Sequence, residues 1–328
     1  MAKLPLVMSC GAPPFEPLWD GAVQFDGIDL TIEVLGHDEP GAQIPERHLR
    51  MFRTQAYDIC EYSSVNYLSS FPLGLPFTAV PVFPLRRFRQ RDIWVSRASG
   101  IDRPEQLAGK RIGIARWANS ALLWHRALLQ HEYGVDLASP DWVRDRPDDP
   151  RYQIPPWVRI RDCPPGRTLW RMLVAGELDA TLLPAPPPIE PGDEAHVRRV
   201  FPDYVPVEQE YFQRTGLLPM THTVVIKNSV LAEHPWVAAS VYEGLCRMLD
   251  VYTERLRSAN APSPVWPSLT WREQEAVLGP DPWPCGLAAN RPTLEAAIRY
   301  AVEQGLIAEP LAPETLFQFE GRALAGVS

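Results

Sequence analysis

Short apolar runs alternate with longer amphipathic segments along nearly the whole chain. The runs LPLVMSC (4–10), LTIEVLG (30–36), DICEYSS (58–64) and FTAVPVF (77–83) predict strands. Between the second and third, IPERHLRMFRTQ (44–55) predicts a helix whose apolar face carries Leu49 and Phe52. IWV (93–95) and RIGIA (111–115) predict further strands. A helix follows over 119–134, with Asn119 or Ser120 to cap its start and Gly134 to end it. The stretch 168–185 predicts a helix, a turn at Gly176 and the strand DATLL. THTVVIK (221–227) predicts a strand, and two helices close the series, from Trp236 to Leu256 and from Pro292 to Gly305. Strands alternating with helices imply an α/β protein with mostly parallel sheets. The proline-rich stretches 145–157 and 182–193 predict surface loops, and no internal repeat is visible.

Composition narrows this picture. With 328 residues, 45% of them hydrophobic, the chain can bury one large core or two smaller ones, and two lobes are expected. A net charge of −8 and a pI near 5.5 argue against nucleic acid as a partner. No run of about 20 apolar residues is present, so no membrane span is expected. Five scattered cysteines without a CxxC pair suit a reducing compartment. The apolar run before Cys10 is shorter than the core of a signal peptide, which points to the cytoplasm. Seven histidines form no HExxH or HxH pattern, so neither a metal nor another cofactor is expected.

Against this acidic background, FPLRRFRQRDIWV (83–95) places arginines at 86, 87, 89 and 91 between two predicted strands. Guanidinium groups offer paired donors that fit a carboxylate. Alternation along an extended chain points 87, 89 and 91 to one side and 86 to the other. Glu61, ending the third strand, could act as an acid if burial raises its pKa. Chain turns directly after strands, at Cys10-Gly11-Ala12, Ser63-Ser64 and Asn119-Ser120, are candidate anion sites. Trp117, Tyr211 and Trp283 are candidates for stacking on an aromatic ring.

Two stretches, GIDRPEQLAGKRIGIARWANS and MLVAGELDATLLPA, resemble the second lobe of type II periplasmic-binding-protein folds. That resemblance implies a two-lobe α/β fold with a central inter-lobe cleft that closes on its ligand. Residues 1–87 plus 207–328 would form lobe one, and 88–206 lobe two. Further segments, FTAVPVFPLRRFRQRDIWV, LLQHEYGV, the stretch 198–230, DPWPCGLAANRPTLEAAIRYAVEQGL and LFQFE, resemble the 4,5-dihydroxyphthalate decarboxylase family in order along most of the chain. The family pattern carries serine where Leu85 stands, tyrosine where Cys285 stands, and usually a residue other than proline at Pro292.

The resemblance implies decarboxylation of a hydroxylated aromatic acid, without cofactor, by protonation of the ring carbon that loses CO2. Arg86 and Arg89 match the family's arginines and would meet the substrate carboxylates. His222 matches its histidine and would move the proton. Asn290 and Arg291 match its Asn-Arg pair. The implied partner is a small aromatic carboxylate, with a homo-oligomer left open. Two other readings share the fold: a solute-binding protein for an aromatic carboxylate, and an enzyme of the futalosine route to menaquinone.

Overall fold

The computed structural model describes residues 2–11, 13–34, 45–258, 267–319 and 322–323. Leu35 and Gly36 of the expected second strand, Ala12 and Ile44 lie outside the described residues. The first sheet contains β1 (Leu4–Cys10), β2 (Ile28–Val34), β3 (Ile59–Ser63), β4 (Phe77–Val80) and β11 (His222–Lys227), ordered β2-β1-β3-β11-β4. The second contains β5 (Ile93–Ser96), β6 (Arg111–Ile114), β7 (Asp141–Arg144), β8 (Ile160–Asp162), β9 (Ala180–Leu182) and β10 (Val197–Arg199), ordered β10-β5-β9-β6-β7-β8. The strands directly after each passage between the sheets, β5 and β11, pair antiparallel with their neighbours. The βα repeats supply the parallel pairs, so both sheets are mixed. The expectation of mostly parallel sheets missed this because a strand arriving over a passage is not the second strand of a βαβ unit.

The helices among the described residues are α1 (Glu16–Trp19), α2 (Pro45–Thr54), α3 (Ser64–Ser70), α4 (Ser120–Tyr133), α5 (Leu169–Val174), α6 (Tyr204–Thr215), α7 (Asn228–Glu233), α8 (Val237–Arg257), α9 (Pro267–Leu278), α10 (Leu287–Glu303) and α11 (Pro313–Leu316). The Asn119 side chain caps α4, and Gly134, at φ 62°, ends it in the left-handed conformation that glycine adopts without strain. α10 starts five residues before the expected Pro292, which sits inside the helix. Asn290 and Arg291 are therefore helical residues and do not precede the helix.

The passages run side by side: Thr221 N–H donates to the Leu85 carbonyl at 2.9 Å, Arg87 N–H to the Pro219 carbonyl at 3.0 Å, and Arg86 pairs with Met220. One apolar core continues from Tyr62 and Phe77 of the first sheet, through Trp124 and Leu128 of α4, to Ile112 and Trp142 of the second. Gln304, after α10, is embedded in that seam. Its side chain donates to the Leu123 carbonyl and accepts from Arg126 Nε, and its carbonyl accepts from Trp117 Nε1. Trp124 Nε1 adds a bond to the Met220 carbonyl at 2.8 Å. A second cluster packs α8 on the other face of the first sheet, through Val224, Ile226, Val241 and Leu245.

Candidate active site

Strand alternation sorts the side chains of β3. Cys60 and Tyr62 join the shared core, while Glu61 and Ser63 turn to the opposite face at the strand's carboxyl end. Antiparallel pairing sets His222, the first residue of β11, directly beside Ser63. The result is a buried chain of polar contacts. His222 Nδ1 lies 2.6 Å from Glu61 Oε1, Arg47 Nη2 lies 2.8 Å from Glu61 Oε2, and the Gly11 amide donates to Oε2 at 2.7 Å. Gly11 is required by space here. A Cβ at this position would stand 2.9 Å from Arg47 Nη1 and 3.3 Å from Glu61 Oε2.

Burial by itself would raise the Glu61 pKa. The Arg47 charge, the charge and hydrogen bond of His222, and the Gly11 amide outweigh it and hold the carboxyl well below the carboxylate range. The expected acid role for Glu61 is thereby corrected: it stays ionised and fixes the imidazole. With Nδ1 facing the carboxylate, Nε2 is the ring nitrogen left to exchange a proton, and it has no protein partner among the described residues. His48 meets the His222 ring edge-to-face at 5.0 Å and the Tyr62 ring at 5.2 Å. Burial, then the neighbouring His222 and Arg47 charges, keep His48 well below the ordinary histidine value. Cys10, nearby, has its thiol pushed up to about 12 by burial.

The arginines separate, although not by strand alternation, because Arg89 has helical backbone angles and Gln90–Asp92 form a single 3-10 turn. Arg87, Arg89 and Arg91 converge on the buried carboxylate of Asp92, at 3.4, 3.7 and 3.5 Å. Arg89 thus has a protein counterion, and its Nη1 also donates to the Pro184 carbonyl at 3.4 Å. Glu208 of α6 accepts the Arg91 amide and is pushed up to about 7 by burial. Arg86 stands apart. It donates to Asn290 Oδ1 at 2.5 Å and to the Phe83 and Pro284 carbonyls. Asn290 is fixed in turn by its own bonds to the Pro284 and Gly286 carbonyls. No carboxylate forms an ion pair with Arg86 among the described residues. Burial lowers its pKa to about 10, so it remains a cation at neutral pH.

Ser63 Oγ and Ser120 Oγ are 2.8 Å apart, joining the start of α3 to the start of α4, and Ser120 also accepts the Val65 amide. Ser64 Oγ is enclosed without a partner. Asn119 accepts from the Leu122 amide and is spent on its cap. The aromatic candidates are corrected. Trp117 is 1% exposed, packs beneath the Arg126 guanidinium at 3.9 Å and belongs to the seam. Tyr211 is buried against Phe88, and Trp283 stacks on Trp271 beside Tyr252. Arg291 faces solvent and pairs with Glu295 and Glu314. Sequence reasoning missed Arg47 and His48. The available signal was their spacing from buried Met51, four and three residues away, which puts both on the inward face of α2.

No protein-family model matches the chain. It is 32% identical over 328 residues to the 4,5-dihydroxyphthalate decarboxylase of Comamonas testosteroni, spanning 97% of each chain. The enzyme of the same name from Pseudomonas putida matches at 36% over 196 residues, 57% of this chain and 73% of that one. Among solved structures, the alkanesulfonate-binding protein of Xanthomonas axonopodis pv. citri superposes with a TM-score of 0.52 at 11% identity, covering 97% of this chain and 99% of that one. A Candida albicans protein described as having the generic periplasmic binding protein fold gives 0.51 at 13%, covering 94% and 92%. These likenesses establish the two-lobe periplasmic-binding-protein fold.

Proposed function

The chain belongs to the 4,5-dihydroxyphthalate decarboxylase family, and on that premise we propose that it converts 4,5-dihydroxyphthalate to 3,4-dihydroxybenzoate and CO2 without a cofactor, at the His222–Glu61 site. As a member of the family it is a carboxy-lyase. The observation that carries the mechanism is His222 Nδ1 held at 2.6 Å by an ionised, saturated Glu61, which leaves Nε2 as the proton carrier. A hydroxyl para to the departing carboxylate feeds electrons into the ring. The ring carbon takes a proton from Nε2–H, and the bond to the carboxyl carbon then breaks, its electron pair restoring aromaticity as CO2 leaves. Glu61 is a positioning residue in this sequence, fixing the tautomer and orientation of His222. Arg86, a cation that forms no ion pair among the described residues, receives the carboxylate that remains on the product.

Five thiols without a disulfide suit a cytoplasmic place for this reaction. The test is CO2 release from a panel of hydroxylated phthalates and benzoates by the purified protein, with His222→Gln alongside. The wild type should release CO2 from the phthalate, and the variant should lose about a hundred- to ten-thousandfold in turnover with smaller change in binding. Near-normal turnover in the variant would place the proton donor elsewhere.

A further inference from the structure

Arg86 is held by three acceptors, and none of them is charged. Nε donates to the Phe83 carbonyl, and Nη2 donates to the Pro284 carbonyl and to Asn290 Oδ1. Its neighbours in sequence are held differently, since Arg87, Arg89 and Arg91 all lean on the Asp92 carboxylate. The remaining nitrogen of Arg86, Nη1, has no protein partner among the described residues, and the residue is partly exposed. Among those residues, the enclosed arginine nitrogens without a hydrogen bond belong to Arg47, Arg87, Arg89 and Arg126, so Nη1 of Arg86 is open to a ligand. Arg126 shows the contrast. It too has neutral partners, Gln304 and the Trp117 carbonyl, but its spare nitrogen is sealed in the core.

The amide that holds Arg86 is itself fixed. Asn290 is 1% exposed, near the start of α10, and its Nδ2 donates to the Pro284 and Gly286 carbonyls, both at 2.7 Å. A carbonyl only accepts, so those two bonds set the amide one way round and turn Oδ1 toward Arg86. We infer that Asn290 is a positioning residue for substrate binding: it aims the Arg86 guanidinium so that Nη1 meets a carboxylate oxygen, and its neutrality leaves the arginine's charge for the ligand. The inference rests on the reading of Arg86 given above. Without Asn290, Arg86 would have to be ordered at each binding event, which weakens affinity. An aspartate at the same place would hold the guanidinium as firmly, yet it would supply the counterion that a bound carboxylate otherwise provides.

Isothermal titration with phthalate, which has both carboxylates but no hydroxyl to drive the reaction, tests this in a double-mutant cycle. Arg86→Ala should weaken binding about ten- to a hundredfold. Asn290→Ala should weaken it about two- to tenfold, and in the Arg86→Ala background it should change affinity by less than about twofold, having nothing left to aim. Asn290→Asp should bind at least about tenfold more weakly than Asn290→Ala. Both variants lose the same bonds to the Pro284 and Gly286 carbonyls, so the excess reports the charge. A merely structural Asn290 would weaken binding equally with and without Arg86. That result overturns the inference, as does an Asn290→Asp variant that binds as well as Asn290→Ala. If Arg86→Ala has no effect, the Arg86 reading falls too; if it has its full effect while both Asn290 variants bind normally, only the Asn290 assignment falls. A crystal structure of the wild type with phthalate needs no variant. Nη2 should remain on Asn290 with Nη1 on a carboxylate oxygen, and a guanidinium swung away from Asn290 overturns the inference.

Discussion

Glu61→Gln is the substitution that discriminates most sharply. It keeps the shape of the side chain but removes the charge that Arg47 and His222 share, and it can present an amide N–H where an acceptor is needed. Leaving Arg47 buried without its counterion should cost about 3–5 kcal/mol. For a chain this long that corresponds to a fall in melting temperature of roughly 4–7 °C. Turnover should fall about a hundred- to ten-thousandfold, because His222 loses the group that fixes its tautomer. Folding depresses the Glu61 pKa, so its stabilisation is complete above the unfolded value of about 4.3 and is lost as pH falls through the lower folded value. The stability gap between wild type and variant should therefore be constant near neutrality and narrow below about pH 4. Differential scanning calorimetry across pH, with CO2 release at pH 7, reads both effects. A variant that melts within about 2 °C of wild type and turns over within threefold would refute the reasoning.

Arg86→Ala should weaken substrate binding by about 1.5–3 kcal/mol, or ten- to a hundredfold, with a smaller effect on turnover; a change confined to turnover would count against it. Gly11→Ala should press a methyl group on Arg47 and Glu61, lowering stability by about 1–3 kcal/mol and turnover at least about tenfold, measured by melting and CO2 release. Glu208 has a folded pKa raised to about 7, so its stabilising contribution is present below about pH 4.3 and is lost as pH rises through 7. Glu208→Gln should accordingly gain stability over the wild type between pH 5 and 8, by up to about 3 kcal/mol; a constant difference across that range would contradict the shift.

The elements were legible in the sequence where periodicity and punctuation agreed. LPLVMSC formed a strand over its whole length, and Asn119 and Gly134 bounded their helix as capping chemistry requires. Pro292 misled because proline usually marks a first turn, whereas here the helix had begun at Leu287. The split between Arg86 and its three neighbours was expected from strand alternation, but it arises from a 3-10 turn over Gln90–Asp92 that brings the three to Asp92, which stood next in sequence and was not weighed. Glu61 and His222 were both visible as titratable groups. Their contact was not, since it joins residues 161 positions apart through a strand pair. Without that contact, and without Arg47, burial alone pointed to the opposite protonation state.

The apolar seam around α4 also bears on how ligands enter. A wide swing of the lobes would have to wet that seam and break the three bonds of Gln304 and the one from Trp124. At about 0.5–1.5 kcal/mol each, the bonds alone hold a fully parted form to roughly 3% of molecules or fewer, and the apolar contacts lower that further. Any ligand that had to wait for that form would find its apparent affinity diluted by the same fraction. A transport protein that must release its cargo needs a hinge that parts easily. A catalyst that keeps this seam must pass both its substrate and its aromatic product through a smaller opening, and only CO2 is small enough to leave without one.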